Sequence, residues 1–275
     1  MEKDREAGAP PVRLAFRFGY LGDRFGGSQV QAEERTVEGE FIAACIRCEL
    51  FTDFREARFQ TGGRTDRGVH ARGQVAAFTT HAPDRAIKAL NWQLPPDIWV
   101  NGYAEVEPPF NPRYAARSRT YRYYFPPRGL DLHSMADAAQ IFLGTHDFSA
   151  FARIQGKDPR RTVHSIRVAA EDGLAFIEVR GESFLWHMVR YMAASLLLAG
   201  QARISRDDIA RHLETGEKCC HTPAPAFGLV LWDVDCGIVF APIPPDSRTE
   251  RHLGQLRDRH AVMERICSVF EESIG

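Results

Sequence analysis

The sequence predicts an α+β protein of two related halves followed by a long helix. Three observations carry that expectation. Apolar residues alternate with period two in several short runs, and helix-period runs are interleaved with them. The order of those runs recurs in the second part of the chain. After Pro245, apolar residues return at helical spacing up to the end.

In the first half, Leu14, Phe16 and Phe18 alternate with Ala15 and Arg17, a strand pattern that stops at Gly19. Thr36 stands before Val37, Phe41, Ala44, Cys45 and Cys48, which recur at helical spacing. A threonine hydroxyl can accept from a free N–H of the first turn, so Thr36 is the expected N-cap. Gly73 to Phe78 reads as a strand, Arg85 to Gln93 as a helix, and Ile98, Val100 and Val106 mark another strand. In the second half, Tyr121, Tyr123 and Phe125 alternate with Arg122 and Tyr124. Ser134, with Asp137 three residues on, is expected to cap a helix running through Phe142. Val163–Val168 and Leu174–Val179 read as a hairpin around Glu171-Asp172-Gly173. Phe184 to Ala199 is apolar nearly all round and is expected to be a deeply buried helix. Ser205 with Asp208 caps a further helix, and Leu229–Val234 is expected to be the final strand. Leu253, Leu256, Val262, Met263, Ile266, Val269 and Phe270 define an amphipathic terminal helix. Pro-Pro pairs punctuate the chain, which divides into 1–107, 108–245 and 246–275.

With 275 residues, 44% of them apolar, the chain has ample material for a core. Its 35 basic and 36 acidic residues exclude a disordered polyelectrolyte. No apolar run approaches the ~20 residues that span a bilayer. The charged Met1–Glu6 start, followed by no hydrophobic segment, speaks against a signal peptide, and six cysteines in so long a chain suggest reduced thiols in the cytoplasm. Only Lys3, Lys88, Lys157 and Lys218 are lysines; the other basic residues are arginines. A GC-rich genome explains that bias as well as RNA binding does, so distribution matters more. Between Asn111 and Arg128 lie Arg113, Arg117, Arg119, Arg122 and Arg128 with no acid. Arg153, Lys157, Arg160, Arg161, His164 and Arg167 form a second tract against one Asp158. Local fields of this kind suit phosphate.

The segment Gly62-Gly63-Arg64-Thr65-Asp66-Arg67-Gly68-Val69-His70-Ala71 brackets a charged cluster with glycines just before a strand. On chemistry alone it is either a surface turn with a local salt bridge or a built site, and the residues do not choose between them.

Gly63-Arg64-Thr65-Asp66-x-Gly68-Val69-His70-Ala71, followed by Gly73-Gln74-Val75, resembles the signature loop of the TruA family of tRNA pseudouridine synthases. Four further blocks follow in family order: Phe110-x-x-Arg113-Tyr114-x-Ala116-x-x-Arg119-x-Tyr121-x-Tyr123, Gly144-Thr145-His146-Asp147-Phe148, Phe184-Leu185-x-His187-Met188-Val189-Arg190, and Pro223-Ala224-Pro225-x-x-Gly228-Leu229. Together they span roughly residues 12 to 236. Departures from the family pattern fall on Gly62-Gly63, Arg67, Gly27-Ser28-Gln29 (where the family usually has a tryptophan) and Asn111.

The resemblance implies two ferredoxin-like or RRM-like halves whose sheets join across a central basic cleft. It implies isomerisation of uridine to pseudouridine in tRNA, at anticodon-arm positions 38 to 40, by a homodimer that needs no metal or cofactor. Asp66 corresponds to the nucleophile, attacking C6 of the base or C1′ of the sugar. Arg190 corresponds to its ion-pair partner, and Tyr121 to the tyrosine that stacks on the base and assists proton removal. Arg64 corresponds to a residue that grips the flipped nucleotide. His70 and Leu229 are counted with Tyr121 and Arg64 as substrate contacts, although a histidine at 70 or 187 is by its type a packing or hydrogen-bonding residue. Arg113, Arg117, Arg119, Arg122, Arg160 and Arg161 are the expected RNA contacts.

Other readings are weaker. Cys45-x-x-Cys48 lies inside a helix pattern, and Cys219-Cys220-His221 is a poor zinc half-site. Arg72-Gly73-Gln74-Val75-Ala76-Ala77-Phe78 lacks the stacking aromatics of an RRM strand, so a non-catalytic RNA-binding protein of the same fold is the alternative. A catalytically dead scaffold would have no need of Asp66, Tyr121 and Arg190 together.

Overall fold

The computed structural model describes residues 10–126, 129–219, 221–244 and 246–274. The charged start at Met1–Glu6, Arg128, Cys220 and Pro245, all invoked above, lie outside the described residues.

In chain order the first half contains β1 (Val12–Tyr20), α1 (Val37–Arg47), β2 (Gln60–Thr61), β3 (His70–Thr80), α2 (Pro83–Gln93) and β4 (Ile98–Glu105). A short helix, α3 (Pro112–Ala115), leads into the second. There follow β5 (Ser118–Phe125), α4 (Leu132–Ala139), β6 (Gly144–Asp147), β7 (Arg160–Glu171), β8 (Leu174–Gly181), α5 (Met188–Gly200), α6 (Arg206–Thr215) and β9 (Leu229–Asp235). Finally come β10 (Ala241–Pro242) and α7 (Ser247–Ile274).

All strands join one mixed sheet in the order β10-β4-β1-β3-β9-β5-β8-β7-β6, with β2 paired to β3. The first half is a βαββαβ unit whose strand order β4-β1-β3-β2 matches β9-β5-β8-β7 in the second, which adds β6 at the edge and the helix α6. The halves meet where β3 pairs with β9 in parallel, His70 opposite Val230 and Ala71 opposite Leu231. Gly73 makes that approach possible. A Cβ there would stand 2.7 Å from the Trp232 carbonyl oxygen, closer than real side chains come.

Local chemistry accounts for most elements. The Thr36 hydroxyl accepts from Gly39 N–H at the start of α1, and Pro83 opens α2 where no N–H is needed. Ser205 and Asp208 form a complete capping box on α6. Asp172 and Gly173 both take positive φ, 49° and 77°, the turn that suits the twist of the β7–β8 hairpin. The core is aromatic in the first half, with Phe16 stacked on Phe78 and Phe18 edge-on to Phe41.

Three expectations need correction. α4 is capped by Asp131, whose carboxylate accepts from His133 and Ser134 N–H, and Ser134 is inside the helix. α5 begins at Met188, not Phe184; the six preceding residues leave β8 as an irregular segment that enters the cleft. β9 is not the last strand, because the chain returns to the first half and β10 pairs with β4. In each case a local side chain or a tertiary contact overrode periodicity.

Candidate active site

Beside the β3–β9 joint lies an open cleft of about 1050 Å³, lined from both halves. The loop carrying Asp66 is held against its floor by reciprocal bonds. Thr65 N–H donates to Ser28 Oγ at 2.9 Å, and Ser28 N–H donates to the Thr65 carbonyl at 3.0 Å. The Thr65 hydroxyl shares a 2.7 Å bond with the buried Tyr20 hydroxyl. Gln74 brackets Gly63, accepting from its N–H and donating to its carbonyl at 2.7 Å. Gly27, at φ 133°, forms an isolated bridge with Asp66 in a conformation that side chains rarely adopt.

Asp66 is thereby presented half-buried, with three partners from the second half. Trp186 Nε1–H donates to Oδ1 at 3.0 Å. His187 Nε2 lies 3.4 Å and Arg190 Nη1 3.9 Å from Oδ2. Arg190 is itself fixed by its Nε, which donates to the Ala224 carbonyl at 2.6 Å. His187 takes φ 64°, an uncommon conformation for a residue with a side chain, immediately before α5. Its Nδ1 is buried without a partner, so the neutral tautomer carries its proton on Nε2, toward Asp66. Burial lowers the His187 pKa; Asp66 opposes that shift, while Arg190 and Arg153 add to it.

Tyr121 is buried in the cleft wall, its ring edge-on to Phe184 at 5.2 Å. Burial pushes its phenol up to about 12; Arg119 opposes the rise and Asp66 adds to it. The hydroxyl therefore stays protonated at neutral pH. Leu229 is buried at the start of β9 and lines the cleft, as does the exposed Arg64.

His70 does not line the cleft. Its Nδ1 accepts from Gly22 N–H at 3.0 Å, and its Nε2 donates to the Phe227 carbonyl at 3.1 Å. Both ring nitrogens, expected to meet substrate, are spent on backbone, and His70 clamps two loops together.

The arginines separate by location. Arg122 is paired with Glu178 at 2.6 Å and Glu171 at 3.2 Å, and its guanidinium lies 3.7 Å over the Trp232 ring. The tract is acid-free only along the chain: the carboxylates arrive from β8 and the hairpin, and they occupy the Arg122 guanidinium. Arg119 lines the cleft but spends its donors on three carbonyls, those of Gly62, Glu182 and Arg113. Arg117 is exposed beside Gly237, outside the cleft lining. Arg113 is exposed and lines the cleft, with Lys157 and Arg161 facing it from the second half. Arg161 also donates to the Asp158 and Arg160 carbonyls, while Arg160 is exposed at the start of β7.

Sequence reasoning missed Trp186, Ser28 and Gln74. Trp186 sits at the variable position of Phe184-Leu185-x-His187, and Ser28 stands where the family usually has a tryptophan. Gln74 stood in the signature-loop resemblance, but with no role assigned to it. Among the described residues, no group of three or more His, Cys, Asp or Glu side chains is placed to hold a metal ion. No helix there is long and apolar enough to cross a membrane.

A carboxylate is thus fixed in a cleft between two ferredoxin-like halves, with a buried tyrosine and exposed cations around it. The family model for tRNA pseudouridine synthase matches residues 138–235. The chain is 52% identical over 264 residues to tRNA pseudouridine synthase A of Methanosphaerula palustris, covering 95% of this chain and 94% of that one. It is 53% identical over 257 residues to the protein of the same name from Methanoculleus marisnigri, covering 94% and 95%. With that of Thermococcus kodakarensis it shares 42% over 229 residues, covering 82% and 85%. A solved Cbf5-Nop10-Gar1 complex matches at a TM-score of 0.36 and 13% identity, covering 67% of this chain and 44% of that chain. The chain belongs to the TruA family of tRNA pseudouridine synthases, which are isomerases.

Proposed function

We propose that the protein converts uridine to pseudouridine in tRNA, at positions 38 to 40 of the anticodon arm, with Asp66 as nucleophile. The observation that carries this reading is the Asp66 carboxylate itself. It is bonded to Trp186, faces His187 and Arg190, and opens onto a cleft walled by Tyr121.

In the reaction, the N1–C1′ bond breaks, the uracil turns, and C5 bonds to C1′. The C5 proton leaves and N1 gains one, so atoms balance without water, redox partner or cofactor. Asp66 adds to C6 or to C1′ and is released when the new bond is complete. Arg190 and Trp186 hold the carboxylate aimed into the cleft. Tyr121 offers a ring edge and a protonated hydroxyl to the flipped base. Arg64, Arg113, Lys157 and Arg161 are placed to meet phosphates around it, and Leu229 supplies an apolar wall. The tRNA substrate supports a cytoplasmic location, and the family resemblance supports two copies of the chain acting together.

Tritium release from 5-tritiated uridine in tRNA tests this reading. Asp66→Asn should abolish release while leaving thermal unfolding at pH 7.5 unchanged; substantial release by that variant would remove Asp66 as nucleophile. Mapping pseudouridines in cellular RNA, with and without the gene, by adducts that stop reverse transcription tests positions 38 to 40.

A further inference from the structure

The terminal helix α7 runs for 28 residues. Only its start is docked. Asp246 and Thr249 are buried there, and Arg248 donates to the carbonyls of Asn91 and Leu94. Beyond that turn the helix stands clear of the body, with Leu253, Met263, Phe270 and Ile274 exposed.

The exposed part carries a heptad seam. Leu253, Leu256, His260, Met263, Cys267, Phe270 and Ile274 are spaced alternately by three and four residues, the a and d positions of a coiled coil. Val262, Ile266 and Val269 form a shorter strip alongside. A helix with such a face stays in water only at the cost of its exposed apolar area.

Charge indicates what covers it. The half from Ser247 to His260 holds Arg248, Arg251, Arg257 and Arg259 against Glu250 and Asp258. The half from Ala261 to Ile274 holds Glu264, Glu271 and Glu272 against Arg265. A positive first half and a negative second half complement each other only when two such helices run in opposite directions. The seam fits itself in that direction as well. Leu253 faces Phe270, Leu256 faces Cys267, His260 faces Met263 and Thr249 faces Ile274 of the second copy. Arg257 then flanks the second copy's Glu264 at the seam's edge, and the pairing repeats by symmetry.

We propose that α7 pairs with α7 of a second copy of this chain as an antiparallel two-stranded coiled coil. The proposal rests on the two-copy reading above and says where the copies meet. Orientation decides which cysteines can bond. In the antiparallel pair, Cys267 lies opposite Leu256 of the other copy and roughly 16 Å along the axis from the other Cys267, beyond disulfide reach. In a parallel pair the two Cys267 residues share one layer.

The test is oxidation of the full-length protein with diamide, read on a non-reducing gel. Leu256→Cys should give a covalent dimer, and wild type and the Leu256→Cys/Cys267→Ser double variant should not. Adding Phe270→Glu to Leu256→Cys should cut the cross-linked fraction about tenfold or more by burying a charge against Leu253 of the second copy. Its circular dichroism should not change, because Phe270 is exposed on the single chain. A covalent wild-type dimer through Cys267, or a Leu256→Cys protein that stays uncrosslinked, overturns the proposal. So does α7 bound to tRNA instead, seen as lost affinity on Arg257→Ala with no cross-link. A dimer by sedimentation without the cross-link puts the interface elsewhere and leaves the catalytic reading standing.

Discussion

Trp186 donates its indole N–H to the carboxylate of Asp66 at 3.0 Å, and the bond crosses from one half of the sheet to the other. Asp66 lies in the loop before β3, pinned by its bridge to Gly27; Trp186 lies in the segment after β8, pinned by its bridge to Arg153. The carboxylate's orientation is therefore set by how the two halves meet at the short parallel joint of β3 and β9.

Trp186→Phe keeps a ring for the Arg153 guanidinium, which lies 4.9 Å from the indole, but removes the donor. Hydrogen bonds to charged groups contribute about 1.5–3 kcal/mol, and partial exposure here favours the lower end. The expected outcome is a kcat lowered about tenfold with KM for tRNA nearly unchanged. Steady-state kinetics with tritiated tRNA separates this from a structural effect, which would appear as a lowered melting temperature. Trp186→Ala should lose more, because the contact with Arg153 goes too.

Tyr121→Phe should leave tRNA binding intact and lower single-turnover rate. The ring is held by Phe184 and the strand, so its position does not depend on the hydroxyl. With the phenol pushed up to about 12, the rate of the wild-type enzyme should show no tyrosine ionisation between pH 6 and 9. A Phe variant that turns over at the wild-type rate would reduce Tyr121 to a stacking surface.

The cleft arginines should divide into two classes on substitution. Arg113→Ala and Arg64→Ala should each lower the slope of log affinity against log salt by roughly 0.7–0.9, one phosphate contact apiece. Arg122→Ala should leave that slope alone, since its guanidinium is occupied by Glu178, Glu171 and Trp232. Arg119→Ala removes the donor to three carbonyls at once and should cost about 1–3 kcal/mol of stability before it costs affinity. Filter binding at several salt concentrations, beside denaturant titration, reads both.

The two halves were legible because most of their longer strands and helices announce themselves by period or cap: Thr36, the Ser205–Asp208 box and the Asp172-Gly173 turn all act locally. The Asp66 loop was legible as a motif. What it rests on was not. Ser28 reaches it from 37 residues away along the chain, and no local pattern marks such a partner; Gln74 stood within the motif, but its role as a bracket for Gly63 did not show. Arg122 shows the converse error. Charge counted along a strand ignores the neighbouring strand, and Glu178 stands directly opposite Arg122 in the β5–β8 ladder. Trp186 was hidden inside a stretch apolar enough to pass for the first turn of α5, yet that turn is unwound and delivers the indole to Asp66.

Two half-buried histidines make stability fall on mild acidification. Burial is the first cause of a lowered pKa at His187 and at His221, whose Nε2 meets the Ser195 hydroxyl at 2.9 Å. In the unfolded chain both imidazoles titrate near 6.5. Between that value and the lower folded one, the unfolded state binds more protons, so stability declines as pH falls through the window and levels off below it. Above pH 6.5 neither residue contributes a slope. The carboxylates held low, Glu178 and Asp246 among them, start from 4.5 and 3.8 and act in a more acidic range. Melting temperatures between pH 7.5 and 5 should therefore drop for wild type and drop less for His187→Gln/His221→Gln. Asp66→Asn sharpens the test, because it removes the one neighbour that favours His187 in its charged form. The folded pKa of His187 should then fall further, and the loss of stability should extend to lower pH than in wild type. A wild-type curve flat from pH 7.5 to 5 would show that both imidazoles take up protons in the folded state as readily as in the unfolded one.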